Sequence, residues 1–242
     1  MPRQSGVNGL RWAAIVFLEG FRCVTEHADI PHGTTVPALN SRELVVDEPA
    51  PTDIATLREE PLGRSAKIVA RAREEVARRV VYDPAYVQLS FRDDADTGRG
   101  VYPGGDLDPH RGVCTDVVVR AFRDVGVDLQ QLVHEDILAR RAGYPAVRVP
   151  DANIDHRRVG PMLTFLRAHA EALSVEASAD WKGADIVVWA FRPCPRCTPD
   201  HVGVVSDRTG PRGLPLVVHN IGPAPSEDDV LDAWPVLGHF RL

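Results

Sequence analysis

Four stretches of the chain carry apolar residues at intervals of three and four positions, the spacing that predicts amphipathic helices. The first stretch follows Ser65, which we assign as its N-cap, and the second follows Cys114 and stops at Gly126. The third begins at Asp128, and the fourth carries Pro161 near its first turn. Helices are therefore predicted over most of the middle of the chain.

The apolar runs of the C-terminal part are shorter, and turn residues separate them, as is typical of strands. They cover 185–191, 201–206, 214–219 and 238–242, and a short strand or extended crossing is predicted at 87–91. Helices followed by a meander of strands indicate an α+β domain with an antiparallel sheet.

The N-terminal part has a different composition. Residues 1–62 show no sustained period and contain several prolines, so we interpret them as a tail that precedes a domain at 63–242. The apolar run 12–18 is similar to a short export signal, but Glu19 ends it and no A-x-A cleavage site follows. A degraded export signal and a disordered cytoplasmic tail both stay open.

Composition narrows the class of protein. The 242 residues are 44% hydrophobic and 26% charged, which is ordinary for a soluble globular protein. A formal net charge of −6 argues against a general nucleic-acid binder. No stretch is long and apolar enough to predict a transmembrane helix.

Cys114 follows a polar, glycine-bearing loop and stands at the start of the second predicted helix. The unpaired N–H groups and the dipole of a helix N-terminus favour an anion, and the thiolate is the nucleophilic form of cysteine. We therefore expect a lowered thiol pKa and a nucleophilic Cys114. The alternative is a small buried cysteine with a structural role.

A nucleophilic cysteine needs a base nearby and a group that orients the base. His201 opens one predicted strand and His219 ends the next. An antiparallel hairpin would bring both histidines to the same end of the sheet, where a packed helix could present Cys114. We then expect the sulfur within about 3–4 Å of a His201 ring nitrogen.

A second cysteine motif lies in the loop before His201. Cys194 and Cys197 form C-x2-C, and with His201 they give C-x2-C-x3-H, a conceivable zinc half-site. A local disulfide, which would suit an exported protein, or two free surface thiols are the alternatives. Zinc bound by His201 would compete with a catalytic role of that residue.

Several segments together resemble the DUF1287 family: GVCTDVVVRAFR, VHEDI, PDANIDHRRV, and HVGVVSD with LVVHNIG and EDDVL. That family is grouped with the NlpC/P60-like, papain-type cysteine hydrolases. The resemblance covers about residues 66–242. It implies an NlpC/P60-like fold, in which the cysteine-bearing helix packs on a small antiparallel sheet.

The resemblance also implies roles for individual residues. Cys114 matches the nucleophile, His201 the base and His219 the residue that orients the base. The backbone N–H of Cys114 would donate to the oxyanion of the tetrahedral intermediate.

Three further residues are candidates for substrate binding or the oxyanion hole. They are Tyr102, Asp116 and Asn220. Tyr102 stands in YPGG, which is similar to the Tyr-x-x-Gly loop of these enzymes, and Asp116 could instead cap the helix. The polar loop 106–111 and the run 151–158 could read charged groups of a peptide, although a structural role of the second run is equally open.

The activity implied by the resemblance is cleavage of amide bonds in peptidoglycan stem peptides through a thioester acyl-enzyme. Such an enzyme needs no cofactor or metal ion and would act outside the cytoplasm, and we expect a monomer. A thiol acyltransferase on the same fold and a non-catalytic binding module are the alternatives.

Overall fold

A computed structural model of the chain describes residues 61–89 and 106–242. All of them belong to the C-terminal of two units into which the chain divides, Pro49–Leu242. Tyr102 and nearly all of the predicted tail lie outside the described residues, and so do residues 90 and 91 of the fifth predicted strand.

The described residues form four α-helices at the predicted places. They are α1 (Pro61–Ala77), α2 (Cys114–Arg123), α3 (Leu129–Ala139) and α4 (Val159–His169). The prediction that Ser65 is the N-cap of α1 is wrong, because the helix begins one turn earlier at Pro61. Proline suits a first helical position, since its φ is already fixed near the helical value and its missing N–H is not needed there.

Local signals set the boundary between α2 and α3. Gly126 has a φ of 88°, a left-handed conformation that glycine adopts without steric cost and that ends α2. Two residues later, the Asp128 side chain accepts the backbone N–H groups of Gln130 and Gln131. Gly126 is thus confirmed as a stop, and Asp128, where the third helical stretch was predicted to begin, is the N-cap of α3.

The strands that follow form one antiparallel sheet. In chain order they are β3 (Glu171–Ala172), β4 (Ile186–Trp189), β5 (His201–Thr209), β6 (Pro215–His219), β7 (Ser226–Asp228) and β8 (Val236–Arg241). Their order across the sheet is β3-β8-β4-β5-β6-β7. The predicted α+β class and antiparallel sheet are thus confirmed.

A small parallel pair stands apart from the main sheet. It joins β1 (Val81–Tyr82) to β2 (Arg111–Gly112), so that Tyr82 lies opposite Gly112. The sequence pattern did not predict this pair. It predicted a short strand or extended crossing at 87–91, and the structure has no strand at the described residues 87–89. The pairing brings the segment after α1 next to the residues that precede Cys114.

The sheet separates two hydrophobic clusters, as alternating strand side chains require. The larger cluster lies under the helices and joins Val118 and Phe122 of α2 to Val202 of β5. The smaller cluster lies on the other face and contains Trp189 and Val217. Burial of each large apolar side chain contributes roughly 1.5–3 kcal/mol.

A buried ion cluster fastens α1 to α2. Glu75 is 1% exposed and accepts Arg71 Nη1 at 2.6 Å and Arg120 Nη1 at 2.9 Å. Arg120 also contacts Asp106 at 3.3 Å. Removal of the shared carboxylate would leave two buried guanidinium groups without that partner, which costs far more than the loss of an exposed pair.

We predict that Glu75→Ala lowers the free energy of unfolding by about 3–5 kcal/mol. Glu74→Ala is the matched control, because Glu74 is about half exposed, pairs with Arg78 on the surface at 3.3 Å and reaches Arg71 only at 3.9 Å. That control should change the free energy by at most about 1 kcal/mol. Urea titration followed by circular dichroism measures both values, and equal losses in the two variants would contradict the account.

Candidate active site

Cys114 is the first residue of α2, and its N-cap Val113 has an extended backbone. The side chain is 7% exposed. The backbone N–H of Val202, the residue after His201 in β5, is close enough to the sulfur to lower its pKa, and Cys114 and Val202 belong to the same hydrophobic cluster. The helix therefore delivers the thiol to the first residues of the central strand β5, as the sequence predicts.

The thiol is not acidic. Burial raises the pKa of Cys114 to about 12, and the nearby Asp116 carboxylate adds to the increase. The N–H groups of Val202 and Thr115 act in the opposite direction. The expectation of a lowered pKa is thus wrong for this state, because loss of solvent around the sulfur outweighs the helix N-terminal donors.

His201 and His219 form a hydrogen-bonded pair. Nε2 of His201 lies 2.8 Å from Nδ1 of His219, and both rings are buried. The antiparallel register of β5 and β6 pairs Val204 with Val218, which brings the two histidines to the same end of the sheet, as predicted. Burial lowers the pKa of His201 to about 3 and also lowers the pKa of His219.

Aromatic rings surround this pair on one side. Trp189 and Phe191 both stack on His201 with ring centroids 5.5 Å apart, and Trp234 approaches both histidines edge-on. Trp189 belongs to the cluster on the sheet face away from the helices. Cys114 belongs to the cluster on the helix side of the sheet, so contact between its sulfur and the imidazole is possible only where β5 begins. Their predicted separation of about 3–4 Å stays a prediction.

Asp116 caps the cysteine-bearing helix. Its Oδ2 atom accepts the Val113 N–H at 2.7 Å and the Arg157 Nε–H at 3.2 Å, and the residue is 2% exposed. Of the two roles considered for Asp116, the structure shows the cap.

Asn220 bridges two backbone segments at the site. Its Nδ2 donates to the Gly112 carbonyl at 3.2 Å, and its Oδ1 accepts the Gly222 N–H at 3.2 Å. The side chain is fully buried. It therefore ties the loop after β6 to the residues before Cys114, and its predicted contact with substrate stays a prediction.

Arg157 is a site residue that sequence reasoning named only as part of a polar run. Nη1 donates to the Ala85 carbonyl at 2.9 Å, and Nη2 donates to the Asp83 carbonyl at 2.7 Å. With its bond to Asp116, the guanidinium joins the segment after β1 to the start of α2. Of the two roles considered for the run 151–158, the contacts of Arg157 show the structural one.

Tyr82 was missed altogether, because no motif marks it. It is 38% exposed, and its ring lies so close to Gly222 that a Cβ atom there would stand 3.4 Å from the ring. Burial raises the pKa of Tyr82, and negative charge on Cys114 raises it further, so the hydroxyl lies in the field of the sulfur. Tyr82 is therefore a described tyrosine near Cys114, and the role predicted for Tyr102 stays a prediction.

Two other polar sets have structural roles. Cys194 and Cys197 are bonded to each other, so their sulfurs are not available to zinc, and the disulfide alternative is the one found. No group of three or more metal-ligating side chains occurs within 61–89 and 106–242. In the predicted substrate-reading loop, Asp106 contacts Arg123 at 2.7 Å and thus serves the packing of α2.

The described residues define an α+β domain in which a helix-borne cysteine meets the start of β5, whose first residue, His201, pairs with His219 of the neighbouring strand. The protein-family model described as "Domain of unknown function (DUF1287)" matches residues 69–242. The chain therefore belongs to the DUF1287 family. The Escherichia coli (strain K12) "Uncharacterized protein YijF" is 43% identical over 174 residues, which cover 70% of this chain and 78% of that protein.

No solved structure matches the chain. Within the part of the chain that the structure describes, no helix has the length and hydropathy needed to cross a membrane. The family membership that the sequence motifs predicted is confirmed, whereas the predicted hydrolase activity stays a prediction.

The buried histidines predict a loss of stability in acid. Burial holds the pKa of His156 at about 3, and an imidazole in the unfolded chain titrates near about 6.5. Between these values the unfolded state binds more protons, so the free energy of unfolding falls as the pH is lowered from 6.5 towards 3.

We therefore predict that the parent Tm falls between about pH 7 and pH 4, and that His156→Gln falls less steeply because its side chain does not titrate. Thermal unfolding across this range measures both slopes. Parallel Tm curves for parent and variant would contradict the stated cause.

Proposed function

We propose that this protein is a cysteine hydrolase of NlpC/P60-like fold that cleaves amide bonds in peptidoglycan stem peptides. One observation carries the proposal. Cys114, at the start of α2, lies in one hydrophobic cluster with Val202, which follows His201, and Nε2 of His201 is 2.8 Å from Nδ1 of His219. Nucleophile, base and orienting residue thus lie within two neighbouring strands and one helix start, and the substrate class is supported by the resemblance to the NlpC/P60-like enzymes.

The resting site would hold a neutral thiol and a neutral imidazole, since burial raises the pKa of Cys114 and lowers the pKa of His201. Because Nε2 of His201 is engaged by His219, Nδ1 is the nitrogen for proton transfer. Nδ1 takes the thiol proton while the sulfur attacks the carbonyl carbon, which forms a tetrahedral intermediate.

Collapse of that intermediate transfers the same proton to the leaving amine and leaves a thioester on Cys114. Water then attacks the thioester, with His201 again acting as the base. The backbone N–H of Cys114 is the proposed oxyanion donor, because Asp116 already accepts the N–H of Val113.

The test is digestion of purified peptidoglycan, followed by mass spectrometry of the released fragments. We predict cleaved stem peptides with one added water from the parent, and a rate at least about 10³-fold lower from Cys114→Ala and His201→Ala. Cys23→Ser is the matched control, because Cys23 has no role in the proposed mechanism and its replacement should leave the rate unchanged.

Two results would contradict the hydrolase. Fragments that carry an acyl acceptor in place of water would indicate a thiol acyltransferase. Retention of peptidoglycan by the parent and by Cys114→Ala alike, with no cleavage by the parent, would indicate a binding module.

A further inference from the structure

A carboxylate lies beyond the histidine pair, on the neighbouring strand β7. His219 is paired with Ser226, and Asp228 projects from the same side of β7 two residues further on. The Asp228 Oδ2 atom is 3.3 Å from His219 Nε2. The sequence marks Asp228 only as part of the acidic run EDDVL.

The ring nitrogen that faces this carboxylate is buried and needs a partner. His219 Nε2 is inaccessible to solvent and has no aligned hydrogen bond among the described residues, although Asp228 stands within ion-pair distance. Buried polar atoms of native proteins are nearly always paired. Asp228 supplies the facing acceptor, because its Oδ2 atom lies 3.3 Å from this nitrogen on a side chain that is 47% exposed.

The chemistry of the carboxylate decides where the protons lie. An ionised carboxylate only accepts, so a neutral His219 that contacts it carries its proton on Nε2. Its Nδ1 is then an acceptor, and the 2.8 Å contact requires His201 to donate from Nε2. A neutral His201 protonated on Nε2 has its lone pair on Nδ1.

We propose that Asp228 is a positioning residue that fixes the tautomers of His219 and His201, so that Nδ1 of His201 is the basic nitrogen presented to Cys114. This inference rests on the proposed function and deepens it. Asp228 acts through His219 and does not touch substrate. Ser226 holds the carboxylate in place, because its hydroxyl donates to Asp228 Oδ2 at 2.5 Å.

The aromatic rings around the two histidines make the choice of tautomer important, because they limit access of water. Trp189 and Trp234 face His219 edge-on at 6.2 and 6.3 Å, so the pair is shielded from water that could satisfy either tautomer. The opposite tautomer of His219 would point the Nε2 lone pair at an anionic oxygen. It would also force His201 to carry its proton on Nδ1, where it could no longer accept one.

The experiment compares Asp228→Ala with Asp229→Ala in the full chain. Asp229 is the matched control, since it is the next carboxylate and pairs with Arg212 at 3.0 Å. Nitrogen-15 NMR of the imidazoles at neutral pH identifies the tautomers, and loss of signals in His201→Gln and His219→Gln assigns them. In parallel, kcat and KM are measured on a soluble stem peptide.

We expect parent and Asp229→Ala to show protons on Nε2 of both histidines, and Asp228→Ala to show a mixture of tautomers. Its kcat should fall at least about 10-fold at unchanged KM, because general-base catalysis supplies about 10²–10⁴-fold.

Three results would overturn the inference: a parent His219 protonated on Nδ1, unchanged tautomers in Asp228→Ala, or altered tautomers with an unchanged kcat. The NMR comparison does not need activity. A parent that cleaves nothing would refute the proposed function, while the tautomers would still decide the role of Asp228.

Discussion

The packing of Cys114 against Val202 in the cluster under the helices marks where the start of α2 meets the sheet. This packing needs α2 to start at one defined residue and at one defined height over β5. Asp116 sets the start by accepting the Val113 N–H, and Arg157 holds Asp116 together with the segment that carries Tyr82. The ion cluster around Glu75 keeps α1 and α2 in register. Polar contacts that are individually modest thus converge on the placement of one sulfur atom.

The burial that fixes the positions of Cys114 and His201 also keeps both side chains uncharged. Loss of solvent raises the pKa of the Cys114 thiol and lowers the pKa of the His201 imidazole, so each group favours its neutral form. Proton transfer to form a thiolate and an imidazolium therefore costs free energy in the free protein. On the proposed mechanism, that transfer is coupled to attack on the substrate, where the negative charge moves to an oxyanion beside the helix N-terminus. The orientation of the histidine pair then matters more than a standing ion pair.

Short-range patterns in the sequence predicted the elements whose signals are local. Asp128 caps α3 and Gly126 ends α2 through interactions within a few residues. Strand periodicity, with an antiparallel hairpin assumed, predicted that His201 and His219 lie at one end of the sheet. The start of α1 was predicted wrongly. Serine is a common N-cap, which favoured Ser65, whereas the helix already includes Pro61 and the residues between them. The thiol pKa was misjudged, since burial depends on packing that no local pattern reveals. Arg157 contacts residues that are 41 to 74 positions away in the chain, so its role became visible only in three dimensions.

The central claim is that the thiol of Cys114 and the imidazole of His201 act on each other at the start of β5. The most direct measurement is the rate of Cys114 alkylation by iodoacetamide as a function of pH, in a Cys23→Ser background with and without His201→Ala. The account predicts that the parent reacts at neutral pH with help from the imidazole, and that His201→Ala slows this reaction at least about 10-fold without changing the rate in strong alkali, where the thiol ionises unaided. Identical pH–rate curves for the two proteins would contradict it.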